Sequence, residues 1–292
     1  MHTTAEYLDS LQQDLAGTIV ALGLDPTTKF TDIKDMAVEG EITVGGGGDI
    51  SEYFLSTLEG TNMAYNLIKK IPRFTFTASS SYNCSNMFKN MISLESVDLS
   101  GLNTANSTSF ASMFQSCTSL KELDLTNINF SGNTTGNFSY MFSGCGSLES
   151  ITFSPSADFS RAYYVNEMFR DCLSLTNLDL SFIGTCGITT LQYMFRGCKK
   201  LEKIDLSNFN ITSALSSSSQ TNQMFYQCSK MERLDMRSFE FSTKCTGQAL
   251  QYIFQGLPAN CLIIVKDSTE KAYLQNAYSN LTNIKTPGEV QE

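Results

Sequence analysis

From Met113 the chain reads MFQSCTSLKELDL. Its apolar positions fall first at Met113, Phe114, Cys117 and Leu120, a spacing that puts them on one face of a short helix. They then alternate: Leu123 and Leu125 are separated by Asp124 and preceded by Glu122, the period of a strand with one buried face. The pattern returns as MFSGCGSLESITF at Met141, MFRDCLSLTNLDL at Met168, MFRGCKKLEKIDL at Met194 and MFYQCSKMERLDM at Met224. An earlier version, MFKNMISLESVDL, starts at Met87, and a weaker one at Ile253-Phe254. Successive starts lie 26, 28, 27, 26, 30 and 29 residues apart. Between each strand and the next Met come stretches such as TNINFSGNTTGNFSY, whose Asn, Ser, Thr and Gly suit turns. Each unit therefore predicts a short helix, a short strand and a polar return loop.

A period of this length marks a repeat architecture, in which one unit buries too little by itself and neighbours stack into a continuous core. The fold expected is an α/β solenoid with a parallel β-ladder and one short helix per repeat, plus a small helical N-terminal region. The motif MF-x-x-C-x-x-L-x-x-[VLI]-D-L resembles the BspA-like subclass of leucine-rich repeats, from Ser81 to about Ile284. Met91 and Leu257 depart from it in the Cys slot, and Thr152 in the Asp slot. That family is associated with bacterial surface proteins, some phage structural proteins and surface proteins of some protists. The resemblance implies a leucine-rich-repeat fold and a surface or structural role, with no single target.

The order of segments suggests five regions. Residues 1–44 form an N-terminal attachment or oligomerisation region. In it, residues 3–24 predict a helix, with Thr3 or Thr4 as N-cap and Gly23 and Pro26 at its end. Leu8, Leu11, Leu15 and Leu22 give it an apolar stripe that fits either a helix packed on its neighbours or a short oligomerising seam. Residues 45–50, with four consecutive glycines, read as a flexible linker; the Lys and Ser/Thr of a phosphate loop are missing from it. Residues 51–80 predict a helix up to Ile71 and a strand at Phe74–Thr77, an N-terminal cap on residues 81–256, the repeats. Residues 257–292 predict a C-terminal cap and tail: a strand at Leu262–Val265, a helix opening at Asp267 or Ser268, and a last strand near Ile284. The leader, with EYL-x-x-L-x-x-DL, the glycine joint and SEYF, is similar to short leader regions of tail or head fibre proteins of phages from gut bacteria.

Composition narrows the function. A net charge of −9 and pI near 4.7, with no basic run, argue against a nucleic-acid partner. No apolar run reaches the length of a membrane span. The start of the chain carries Glu6, Asp9 and Asp14 and lacks a basic n-region, so it does not read as a secretory signal. Either such a signal precedes it or the protein is made in a cytoplasm without Sec export. Of nine cysteines, Cys117, Cys145, Cys172, Cys198 and Cys228 share one apolar slot, which favours a column of buried thiols over disulfides. Cys186 and Cys245 sit in return loops two repeats apart. The single histidine, His2, and the lack of any C-x-x-C point away from zinc. No nucleophile–base or paired-carboxylate motif is present, so neither an enzyme nor a cofactor is expected.

The strand period turns Asp98, Asp124, Asp179, Asp205 and Asp235 outward, with Thr152 in the third slot. A second outward column holds Ser96, Glu122, Ser150, Asn177, Lys203 and Arg233. The aspartates fit two readings: a repeat-intrinsic acceptor for backbone or Ser/Thr donors, or a column that holds Ca²⁺ or a ligand. Lys203 and Arg233 would offset Asp205 and Asp235. Return loops such as Ser213–Thr221 vary most in length, and the Asn106 and Asn133 N-x-S/T triplets there reflect composition. Together these features suggest a non-enzymatic structural and recognition protein: a phage virion component, assembled in the host cytoplasm, that binds a host surface protein or glycan through the solenoid. Residues 1–44 would join it to other virion proteins or to itself as a homo-oligomer. A bacterial cell-surface adhesin lacking its signal peptide is the alternative.

Overall fold

The computed structural model describes residues 42–45, 69–71, 73–77, 82–181, 183, 187–209, 211, 221–244 and 252–290. Leu8, Leu11, Leu15, Leu22, Cys186 and Cys245 lie outside them. The repeats wind into a solenoid whose short strands pair only in parallel. β1 (Ile42–Gly45) pairs with β3 (Phe74–Thr77), Gly45 opposite Thr77, so the first residue of the glycine run still belongs to a strand. β2 (Lys70–Ile71) pairs with β4 (Ser96–Val97) and places a rung ahead of the first repeat. β5 (Glu122–Leu125) pairs with β6 (Ser150–Phe153). β7 (Lys203–Asp205), β8 (Arg233–Asp235), β9 (Leu262–Ile264) and β10 (Ile284–Lys285) form a continuous four-stranded piece. The alternation read from the sequence holds in β5, where Leu123 and Leu125 are buried and Glu122 and Asp124 exposed.

The MF-x-x-C segment is not helical. Where a short helix per repeat was expected, each coil runs through successive turns, because two residues per coil take left-handed backbone. One precedes the Met: Asn86, Ser112, Tyr140, Glu167, Tyr193 and Gln223, with φ between 50° and 61°. The other precedes the Cys slot: Asn90, Ser116, Gly144, Asp171, Gly197, Gln227 and Gly256. An α-helix cannot contain such residues four apart, since every peptide must point the same way. Here alternate amides point along the solenoid instead. The amides of Asn86, Phe88 and Asn90 donate to the carbonyls of Ala111, Met113 and Gln115 in the next coil at 2.9, 2.8 and 2.7 Å. Between them, the amides of Lys89 and Met91 close turns onto Asn86 and Phe88 of their own coil. The next coil repeats this, with Ser112, Phe114 and Ser116 donating to Ser139, Met141 and Ser143.

Backbone register puts like side chains in columns. Phe88, Phe114, Phe142, Phe169, Phe195, Phe225 and Phe254 form one stack, with neighbouring ring centroids 5.1–6.5 Å apart and planes within 16°. The thiol column lies beside it. Cys117, Cys145, Cys172, Cys198 and Cys228 each donate their S–H to the carbonyl of Phe88, Phe114, Phe142, Phe169 and Phe195, at 3.0–3.2 Å. Each of those carbonyls also receives the amide three residues on, so the thiol fills its second lone pair. This accounts for cysteine in the slot: it is small, apolar and still a donor. Met91 begins the column, where no earlier Phe carbonyl of the stack is described. All seven described cysteines are buried, and none of them forms a disulfide.

At the far end α1 (Phe241–Lys244) meets α2 (Ser268–Ala277). Asp267 caps α2, accepting from the amides of Thr269 and Glu270 at 2.9 and 3.1 Å. The buried Glu270 carboxylate accepts from the Ser242 amide and hydroxyl and so ties the two helices together. Leu274 turns inward, and β10 pairs with β9 beyond α2.

Phe195 is fully buried between Phe169 and Phe225. Truncating it leaves a cavity inside the stack, and Phe195→Ala should lower the unfolding free energy by about 3–5 kcal/mol in denaturant titrations. The thiols give a second expectation. Burial pushes Cys145 and Cys228 up to about 12 and Cys117, Cys172 and Cys198 well above their ordinary 9.0. A raised folded-state pKa means the protonated thiols stabilise the fold fully below pH 9.0 and that this contribution is lost as pH rises towards 12. Unfolding free energy should therefore fall steadily above pH 9.0, and at pH 8 alkylation of the column thiols should proceed no faster than unfolding. In denaturant without reductant all nine thiols of the chain should titrate.

Candidate functional site

Two faces of the solenoid carry polar side chains in register, and they differ in how far those side chains are committed to the fold. The strand face holds the aspartate column. Asp98, Asp124, Asp179 and Asp205 are exposed, and each Oδ1 accepts from the amide two residues on, in Ser100, Thr126, Ser181 and Ser207, at 2.8–2.9 Å. Each closes the turn that ends its strand. Bonds from the Ser100 hydroxyl and then its amide hold Asp98 below the ordinary carboxylate range. In the coil where Thr152 takes the slot, the turn moves along the chain: Ser154 Oγ accepts from the Ser156 amide at 3.2 Å. The backbone-acceptor reading of the column thus has its partners in the structure.

Asp235 differs from the expected outward column. It is 3% exposed, and Arg237 Nε donates to it at 2.9 Å. Lys203 and Arg233, read as its balancing cations, make no ion pair among the described residues. Arg237 was missed because it lies past the strand, where the period stops reporting side-chain direction.

The ladder is also interrupted, between β4 and β5 and again after β6. Asn177–Leu180 sit where a strand was expected between β6 and β7, yet they pair with neither. The preceding coil leaves β6 through Ser154 and Pro155 with its turn displaced along the chain. Surface grooves flank this break. One of about 580 Å³ is lined by Ile151, Thr152, Phe153, Ser154, Pro155, Asp179 and Ser181. The other, of about 380 Å³, brings together Asn177, Asp179, Lys203, Asp205, Arg233, Asp235 and Arg237, three cations against three carboxylates. Glu122 stands apart on β5, opposite Ser150. Among the described residues no group of three or more His, Cys, Asp or Glu could hold a metal ion, and no helix is long and apolar enough to cross a membrane.

The turn face carries a second set that the periodicity did not single out. The Arg196 guanidinium carbon lies 5.2 Å from the ring centroids of both Tyr193 and Tyr226. Arg170 lies 5.9 Å from Tyr193 and is held by Glu167 at 2.6 Å and Asp171 at 3.3 Å. These pairs raise the Arg170 pKa, the Glu167 hydrogen bond most. Tyr140 is raised by burial and by Glu167. The signal available in sequence was positional: Tyr140 and Tyr193 precede the Met, and Arg170, Arg196 and Tyr226 follow the Phe.

If the aspartates serve their turns, Asp124→Asn keeps an acceptor for Thr126 and should cost little, whereas Asp124→Ala should cost about 1 kcal/mol. Asp235→Asn should cost more than Asp124→Asn, since it also ends the pair with Arg237. Millimolar Ca²⁺ should leave the melting temperature where EDTA leaves it; calorimetry of the wild type and the three variants checks all of these.

A family model described as "Mycoplasma protein of unknown function, DUF285" matches residues 61–155 and again 137–260, which together take in the repeats that carry the MF-x-x-C motif. No curated protein matches the chain. A crystal structure of a leucine-rich repeat protein from Bacteroides ovatus aligns at 13% identity and a TM-score of 0.23, covering 75% of this chain and 66% of that one. This chain thus spans just under two thirds of that protein's length. The two matches of the family model extend over more than half of the sequence, and the chain belongs to the DUF285 family.

Proposed function

We propose that this chain is a non-enzymatic recognition protein, a tail- or head-fibre-type component of a phage virion. The solenoid would face outward and bind a protein or glycan on the host surface, while residues 1–44 join it to other virion proteins or to copies of itself. One observation carries the recognition reading. The buried core recurs from coil to coil, but the outward positions do not: Glu122 lies opposite Ser150 and Lys203 opposite Arg233, with Asn177 at the equivalent place in the sequence. A stacked solenoid offers such columns as an extended surface for a partner. The virion assignment is supported by the likeness of the leader to those of phage fibre proteins.

The fluorescently labelled full chain should bind intact cells of some bacterial strains in a panel and not others, and should compete with phage adsorption on the strains it binds. Antibody to the chain should label purified virions. Labelling of the producing bacterium's own envelope, with none on particles, would instead support a cell-surface adhesin. Deleting residues 1–41, which leaves β1 paired with β3, should leave cell binding intact and abolish incorporation into particles.

A further inference from the structure

We propose that the turn face centred on Arg196 docks an acidic segment of a partner protein. This rests on the recognition reading above and names the face and the kind of partner. Arg196 is held over two tyrosine rings, Tyr193 and Tyr226, at 5.2 Å each. Among the described residues it has no carboxylate at ion-pair distance, whereas its neighbour Arg170 has two. A guanidinium fixed by rings keeps its N–H edge free for a carboxylate and loses little freedom when it binds one.

One of the two rings, Tyr193, is held at a cost, as is Tyr140 on the same face. Tyr193 and Tyr140 sit at φ 56° and 61°, backbone that Asn86 and Ser112 occupy in the first coils and that bulky residues avoid. Strain of this kind is kept where the side chain is needed in that place. Apolar anchors lie in the adjoining coil: Tyr163, Tyr164 and Leu173 are 39%, 46% and 39% exposed, three of the five large apolar side chains so exposed among the described residues. Charge agrees. Residues 161–244 carry ten Lys and Arg against eight Asp and Glu, in a chain with 20 against 29.

The partner's class follows from what the face offers. The Tyr193 and Tyr226 rings carry a guanidinium against them, so a sugar would compete with Arg196 for the rings it stacks on. What remains open is the N–H edge of Arg196, with exposed tyrosine and leucine in the adjoining coil, residue types common in protein-interface hot spots. A segment with carboxylates beside aromatic or aliphatic side chains meets both parts.

The test uses the full chain and four probes: a random Glu/Tyr copolymer, poly-glutamate, heparin and polygalacturonate, each titrated at low ionic strength, where surface charge is least screened. The wild type should bind the Glu/Tyr copolymer more tightly than poly-glutamate, and both more tightly than the two polysaccharides. Arg196→Ala should weaken copolymer binding by at least about tenfold, as loss of a hot-spot side chain does. Tyr193→Asn removes the ring and puts a residue suited to left-handed backbone in its place, so it should fold and lose binding similarly. Arg196→Lys should lie between, while Lys203→Ala and Arg233→Ala on the strand face should stay near wild type. Circular dichroism melts confirm that each variant is folded. Losses confined to Lys203→Ala and Arg233→Ala overturn this inference and leave the recognition reading standing on the other face. A preference for heparin or polygalacturonate, or no binding of either acidic polypeptide, also overturns it. The cell-binding assay reads the broader proposal separately, because it does not depend on which face binds.

Discussion

The structure depends on a strip of hydrogen bonds that cross from one coil to the next on the turn face. The amides of Asn86, Phe88 and Asn90 reach into the coil that begins at Ser107, and the equivalent amides repeat this upward. A solenoid with strands of two to four residues, broken at Asn177–Leu180, would be held weakly by its β-ladder alone. The turn strip supplies a second ladder on the opposite side of the core. It also sets register: from Phe88 to Phe195 each Phe carbonyl accepts the next coil's Cys thiol, and each ring stacks on the next. Repeats of 26 to 30 residues can therefore share one core, with the length differences absorbed between strand and Met.

That strip requires left-handed backbone at two positions per coil, and the requirement explains residue choices that burial does not. Gly144, Gly197 and Gly256 take the position before the Cys slot at no steric cost, and Asn90 and Asp171 at little. Gly197 has a further reason, because a Cβ there would come within 2.2 Å of the Asp171 carboxylate. The position before the Met holds no glycine and accepts Asn, Ser, Gln, Glu and Tyr. Tyr140 and Tyr193 stand at that position, while Arg170, Arg196 and Tyr226 reach the same face from the position after the Phe.

Much of this was legible in the sequence. The repeat period, the buried set, the shared Cys slot and the strand–helix–strand order near the C-terminus all follow from apolar spacing and helix-capping chemistry. The helix did not, since apolar residues at Met113, Phe114, Cys117 and Leu120 report only which side is buried. A left-handed turn coil and a helix bury the same side. The distinguishing signal lay in the polar residues between them, Asn, Ser, Asp and Gly recurring before Met and before Cys. Two features of the strand face were illegible for another reason. The ladder break at Asn177–Leu180 and the Asp235–Arg237 pair depend on how one coil sits against the next, which a period of two within a strand does not encode. The stacking of Arg196 on Tyr193 and Tyr226 joins residues 3 and 30 positions away, and needs the coil register before it can be seen.

The aspartate column shows why regularity is a poor guide to a binding site in a repeat protein. Asp98, Asp124, Asp179 and Asp205 are the most regular outward residues, and each already accepts a hydrogen bond that closes its own turn. A residue that recurs in every coil is explained by what every coil needs. A partner distinguishes this solenoid from another only through side chains that the coil leaves unassigned. On the strand face those are Glu122, Asn177, Lys203 and Arg233, whose identity changes at each step. On the turn face it is Arg196, oriented by two rings and without a carboxylate partner among the described residues. A side chain that is oriented but unpaired binds at lower cost than one that must first be ordered or first released. By that criterion the turn face is the better prepared of the two.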